Sequence, residues 1–91
     1  MRVVYKYIVG TPSVNQVIFQ MTLPVEAEVL TIQNQGENTC MWVLQNLRGN
    51  QFQERKFVIL GTGQPVAENY KYISTIQEAG GALVWHYFEM L

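Results

Sequence analysis

The chain predicts an all-β fold, a small antiparallel sandwich or barrel of about seven strands forming one domain over residues 1–91. Three observations carry this. Apolar and polar residues alternate with a period of two almost throughout, Gly- and Pro-bearing turn signals interrupt the alternation at short intervals, and no segment requires a long helix.

Strands are expected at 2–9, 16–23, 28–35, 39–47, 54–61, 71–77 and 82–90. The first ends at Gly10-Thr11-Pro12-Ser13. The second alternates most clearly, with Val17, Phe19, Met21 and Leu23 on one face and Ile18, Gln20 and Thr22 on the other, and stops at Leu23-Pro24. The third runs into Asn34-Gln35-Gly36. The fourth carries an apolar stripe of Cys40, Trp42 and Leu44 and ends at Arg48-Gly49-Asn50. The fifth, led by Arg55-Lys56-Phe57, empties into Gly61-Thr62-Gly63-Gln64-Pro65. Between it and the sixth, Pro65–Tyr72 has room for one helical turn, because Ala67, Glu68 and Asn69 are poor strand formers. The seventh follows Gly80-Gly81 and carries bulky apolar groups on both faces. A domain of this size buries only about 60 to 65 per cent of its unfolded surface, so a two-faced terminal strand points to self-association as a homo-dimer or homo-tetramer.

Composition narrows the function. Charged residues make up 14% of the chain, and the formal net charge of −1 offers no electrostatic footprint for DNA. No apolar run is long enough to span a bilayer, no cleavable leader is evident, and the lone cysteine suits a reducing cytoplasm. One His, one Cys and no Asp cannot form a standard zinc site within one subunit, so neither metal nor cofactor is expected. His86 shares a face with Val84 and Phe88, a position for a core or interface residue, and no nearby pattern supplies a catalytic partner. No enzymatic activity is expected.

The remaining candidates concern binding. Arg2, Lys6, Arg48, Arg55, Lys56 and Lys71 are the only cations, and aromatics interleave with them in Tyr5-Lys6-Tyr7 and Tyr70-Lys71-Tyr72. Bases stack on aromatic rings while Arg or Lys holds phosphate, which suits a small nucleotide better than a polymer. Trp42 reads either as a core residue or as a platform for a ring. Gly61-Thr62-Gly63 reads either as an ordinary turn or as an anion nest to which the Thr62 hydroxyl adds a donor.

These same residues carry a resemblance. Tyr5-Lys6-Tyr7, Cys40-Met41-Trp42, Arg55-Lys56-Phe57 leading to Gly61-Thr62-Gly63-Gln64-Pro65, Thr75-Ile76-Gln77, and Gly80 to Phe88 resemble a widespread family of small bacteriophage proteins. That family shows an early Tyr-Lys-Tyr, a Cys-x-Trp strand, a Gly-Thr-Gly-x-Pro loop and a Gly-Gly-Ala-Leu-Val-x-His-x-Phe ending. The likeness covers nearly the whole chain.

The resemblance implies an oligomeric viral sponge. Such a protein binds cyclic dinucleotide signals of bacterial antiphage immunity, of the CBASS type, and holds them uncleaved in the cytoplasm of the infected host. On that basis Arg55 and Lys6 are expected at phosphate, Tyr5 and Trp42 at the bases, and Thr62, Gly63 and Gln64 as hydrogen-bonding loop groups. Members often carry His after Gly-Thr-Gly, whereas this chain has Gln64, whose amide both donates and accepts. The competing expectations are a protein-interaction inhibitor of a host defence enzyme or effector and, less favoured, a phosphodiesterase.

Overall fold

A computed structural model describes residues 1–9 and 17–91. Its strands are β1 (Arg2–Ile8), β2 (Ile18–Pro24), β3 (Glu28–Gln35), β4 (Asn38–Asn46), β5 (Phe52–Gly61), β6 (Tyr70–Glu78) and β7 (Leu83–Met90). They form a three-stranded sheet of order β1-β4-β3 and a four-stranded sheet of order β2-β5-β7-β6, packed together, with every pairing antiparallel. The expected all-β architecture with seven strands is therefore present. The turn expected at Gly10–Ser13 and the start of the second strand at residue 16 lie outside the described residues.

Local chemistry explains most boundaries. β3 and β4 are joined by the two-residue loop Gly36–Glu37, closed by the Gln35–Asn38 pair. Gly36 has φ +60°, at the first loop position, where a II′ hairpin turn demands positive φ. Pro65–Tyr72 does not contain the expected helical turn. Its first residues are irregular, the Tyr70 N–H donates to the Ala67 carbonyl at 3.1 Å, and Tyr70 is already paired with Met90. Pairing with β7 wins over the weak helical preference of Ala67 and Glu68. The only helical turn among the described residues is a 3-10 turn at Ala79–Gly81, where the Gly80-Gly81 signal stood.

The inner faces of the sheets meet in a core built from Leu23, Ile32, Met41, Val43, Phe57, Ile59, Ile76 and Tyr87, all buried. Phe19 stacks on Phe57 with ring centroids 5.2 Å apart and meets the edge of Tyr87 at 6.4 Å. Phe19, Met21 and Leu23 point inward as their alternation requires.

On β4 it is Met41 and Val43 that enter the core, so Cys40, Trp42 and Leu44 face outward; Cys40 is nonetheless only 1% exposed on this central strand. β7 likewise sends Trp85 and Tyr87 inward and Val84, His86 and Phe88 outward.

The sheets are also joined along one side, where β3 and β6 run next to each other without a strand ladder. The Ile32 N–H donates to Ser74 Oγ at 2.9 Å, and the Thr31 and Ser74 hydroxyls are 3.0 Å apart. A side-chain oxygen thus satisfies a buried strand N–H that would otherwise lack a partner. Ser74 points inward because the register of β6 against β7 shifts between Tyr72 and Ser74. No helix is long and apolar enough to cross a membrane among the described residues.

Candidate ligand-binding site

The outer face of the four-stranded sheet brings together the groups best placed to meet a ligand. β5 ends at Gly61, and the chain turns through Thr62 and Gly63. The Gln64 N–H donates to the Gly61 carbonyl at 3.2 Å, and the Gly61 N–H donates to Gln64 Oε1 at 2.5 Å. This double closure ties the loop to itself, and the Gly61–Trp85 pair sets it beside the first residues of β7. Gly63 has φ +94°, and a Cβ built on it meets nothing within 4 Å, so its backbone is open to close approach.

Leu60, Gly61, Thr62, Gly63, Gln64, Val66, His86 and Phe88 line a hollow of about 240 Å³. Its walls are aliphatic and aromatic, and from its Thr62 and His86 side chains a run of hydrogen bonds leads away to Thr75 and Tyr72. The Thr62 hydroxyl lies 2.8 Å from His86 Nε2, His86 Nδ1 lies 3.0 Å from the Thr75 hydroxyl, and that hydroxyl lies 2.8 Å from the Tyr72 phenol. Both ring nitrogens of His86 are therefore engaged, which fixes the ring plane beside the hollow. Phe88, one alternate position along β7, packs edge-on against Tyr72 at 5.6 Å. The register shift in β6 is what makes this possible. An unbroken ladder from the Tyr72–Phe88 pair would put Ser74 opposite His86, whereas the shift puts Thr75 there and turns Ser74 to the seam with β3.

Thr62, Gly63 and Gln64 all line this hollow, with the Gln64 side-chain oxygen folded back onto the loop. Lys6 and Trp42 are neighbours elsewhere, opposite each other in the β1–β4 register on the outer face of the three-stranded sheet, and Lys6 Nζ donates to Gln35 Oε1 at 2.8 Å. Tyr5, opposite the core residue Val43, lies on the other face of β1.

Arg55 sits between the sheets. Its Nε and Nη2 donate to the Glu89 carboxylate at 2.6 and 2.7 Å, and its Nη1 donates to the Ala27 carbonyl at 2.6 Å. A wider hollow of about 480 Å³ adjoins this pair, but Glu54 and Glu89 there offset Arg55 and Lys56, leaving no net positive field for an anion. A single subunit thus unites the loop residues but not Tyr5, Lys6, Trp42 or Arg55.

His86 and Phe88 complete the lining, backed by Thr75 and Tyr72; the sequence marks Tyr72 through its place beside Lys71 and none of the other three as a ligand group. Strand alternation does place His86 with Phe88. The contact of His86 with Thr75 depends on the register shift, and its contact with Thr62 on the path of the loop. No three metal-ligating side chains converge among the described residues.

A family model described as a domain of unknown function (DUF7352) matches residues 1–91. No curated protein and no solved structure matches the chain.

Proposed function

Taking as premise that the chain belongs along its whole length to the DUF7352 family, we propose that it binds cyclic dinucleotide second messengers, such as 3′3′-cGAMP, and sequesters them without cleavage. In this reading it is an immune-evasion protein of a bacteriophage acting in the host cytoplasm, as its sequence resemblance implies. The observation that carries the reading is the hollow beside the Gly61–Gln64 loop, where an open glycine backbone, a hydrogen-bonded His86–Thr62 pair and the Phe88 ring converge. Such a set offers an apolar wall for a base, edge-on hydrogen bonds and backbone N–H groups for a phosphate.

Size argues for shared use of the site. A hollow of about 240 Å³ falls below the roughly 300–1,000 Å³ typical of pockets that enclose a small molecule. A cyclic dinucleotide is nearly two-fold symmetric, and a two-fold interface presents each loop twice, one for each half of the ligand. Two stacked bases at roughly 1–3 kcal/mol each, with several charged hydrogen bonds at roughly 1.5–3 kcal/mol each, then approach the roughly 12 kcal/mol of nanomolar binding. Lys6, Trp42 and Tyr5 belong to the other sheet, so an interface that pairs the two loops does not include them. Arg55 supports the fold through Glu89.

Calorimetry against a panel of cyclic di- and trinucleotides, with ligand recovered after heat denaturation, tests the proposal. Tight binding with intact recovery is expected; degraded ligand would replace the sponge with an enzyme. No binding across the panel would favour the second reading, a protein-interaction inhibitor. That reading draws on exposed apolar side chains of the three-stranded sheet: Val4, Ile8 and Leu30 are 54%, 62% and 44% exposed.

A further inference from the structure

Of the strands at the margins of the two sheets, β1 is the one whose outer edge is left whole. β7, whose two apolar faces suggested self-association, runs between β5 and β6 and has no free edge. β3 and β6 carry register shifts and are joined to each other through Ser74, while the outer edge of β2 ends at Pro24, which has no N–H to give. β1 keeps one uninterrupted register with β4 from Arg2 to Ile8 and contains no proline.

The hydrogen bonds at its two ends fix which groups face outward. The Leu47 N–H donates to the Met1 carbonyl and the Val9 N–H to the Thr39 carbonyl, both at 2.9 Å. Odd-numbered residues of β1 therefore bond to β4, and the N–H and C=O groups of Arg2, Val4, Lys6 and Ile8 point away from it, unpaired among the described residues. Charged side chains usually guard such an edge. Here they lean the other way: Lys6 Nζ donates to Gln35 Oε1, and Arg2 pairs with Glu28 at 3.6 Å, both partners lying on β3 beyond β4. Tyr5 faces the core side yet is 39% exposed, as a strand lacking a neighbour leaves it.

We propose that a second copy of the chain completes this edge, β1 against β1, antiparallel about a two-fold axis at Tyr5. Two identical strands related by a two-fold have few registers open to them. An axis at Val4 sets Arg2 against Lys6, and one at Lys6 sets Lys6 against itself, so both oppose like charges. The axis at Tyr5 sets Arg2 against Ile8 and Val4 against Lys6, puts no like charges directly opposite, and pairs all of β1; the two Tyr5 side chains meet across it. The contact joins the two three-stranded sheets into one and does not rest on nucleotide binding.

The experiment is sedimentation of the wild type and of Val4→Pro, joined to oxidative crosslinking of Tyr5→Cys and of Val3→Cys. The Val4 N–H takes no part in the ladder with β4, so proline there keeps the fold and removes the donor. Expected are a wild type that is at least a dimer, a Val4→Pro variant of half its mass with an unchanged far-UV circular dichroism spectrum, and a disulfide-linked pair from Tyr5→Cys. Directly opposed residues of a non-hydrogen-bonded pair have Cα atoms about 4.5 Å apart, within disulfide range. Val3 meets Tyr7 instead, so Val3→Cys stays unlinked, and the buried Cys40 leaves the wild type unlinked as well. If Val4→Pro loses its strand signal, the crosslinking decides alone. A wild type that sediments as a monomer throughout its soluble range, a folded Val4→Pro of undiminished mass, or a link at position 3 in place of position 5 overturns the contact.

Discussion

Arg55 is held from three directions, by two nitrogens on Glu89 and one on the Ala27 carbonyl, with side chains only 15% and 8% exposed for Arg55 and Glu89. Removing one member of so buried a pair leaves the other charged and unmatched. Arg55→Ala is therefore expected to destabilise the fold by about 3–5 kcal/mol, read from the midpoint of urea unfolding. A loss below 1 kcal/mol would show the pair to be open to solvent.

Tyr87 makes a second prediction at this scale. Burial pushes its phenol above the ordinary value of 10.0, the negative charge of Glu78 adds to the effect, and a hydrogen bond with Thr39 opposes it. The unfolded phenol ionises near pH 10 while the folded one does not, so this contribution to stability is intact below pH 10. It declines at higher pH by about 1.4 kcal/mol per pH unit. Tyr87→Phe should flatten that alkaline decline in unfolding curves measured from pH 8 to 11; an unaltered slope would assign it to other groups.

At the scale of elements, the register shift between Tyr72 and Ser74 does two things at once: it aims Ser74 at β3 and Thr75 at His86. Ser74→Ala leaves the Ile32 N–H without an acceptor at a buried position, and a loss of about 1–3 kcal/mol in unfolding free energy is expected. Hydrogen exchange localises it: the Ile32 amide should exchange faster than those of its β3–β4 ladder neighbours. Equal protection would mean that the seam does not depend on this oxygen.

The shift also marks where the sequence stops being readable. Period-two alternation was enough to find all seven strands and the inward side of β2, because Gln20 and Thr22 leave no doubt about which face is wet. It could not orient β4, whose Met41–Val43 and Trp42–Leu44 faces are equally apolar. The Gly-Thr-Gly loop was legible as a candidate from composition alone. His86 was placed correctly with Phe88 yet read as an apolar-face residue, because its partners Thr62 and Thr75 are 24 and 11 positions away and meet it only through the loop path and an extra residue in β6. The resemblance sets Arg55 at phosphate, and nothing in Arg55-Lys56-Phe57 reveals that Glu89 lies within reach 34 positions later.

For the molecule as a whole, the small hollow leads to a stoichiometric prediction: one cyclic dinucleotide per two chains, with affinity falling as the assembly is diluted apart. Calorimetric stoichiometry combined with sedimentation measures it. A monomer binding one ligand per chain would refute the shared site.

Cys40 gives the intact protein a further use. It is the sole thiol, 1% exposed, in the central strand of the three-stranded sheet. A thiol reagent reaches so buried a group only when its surroundings open, so the labelling rate of the unmodified protein times that opening. Any ligand that binds the closed form slows this clock in proportion to its occupancy. The chain thus carries its own reporter for binding, needing neither a fluorophore nor a labelled nucleotide.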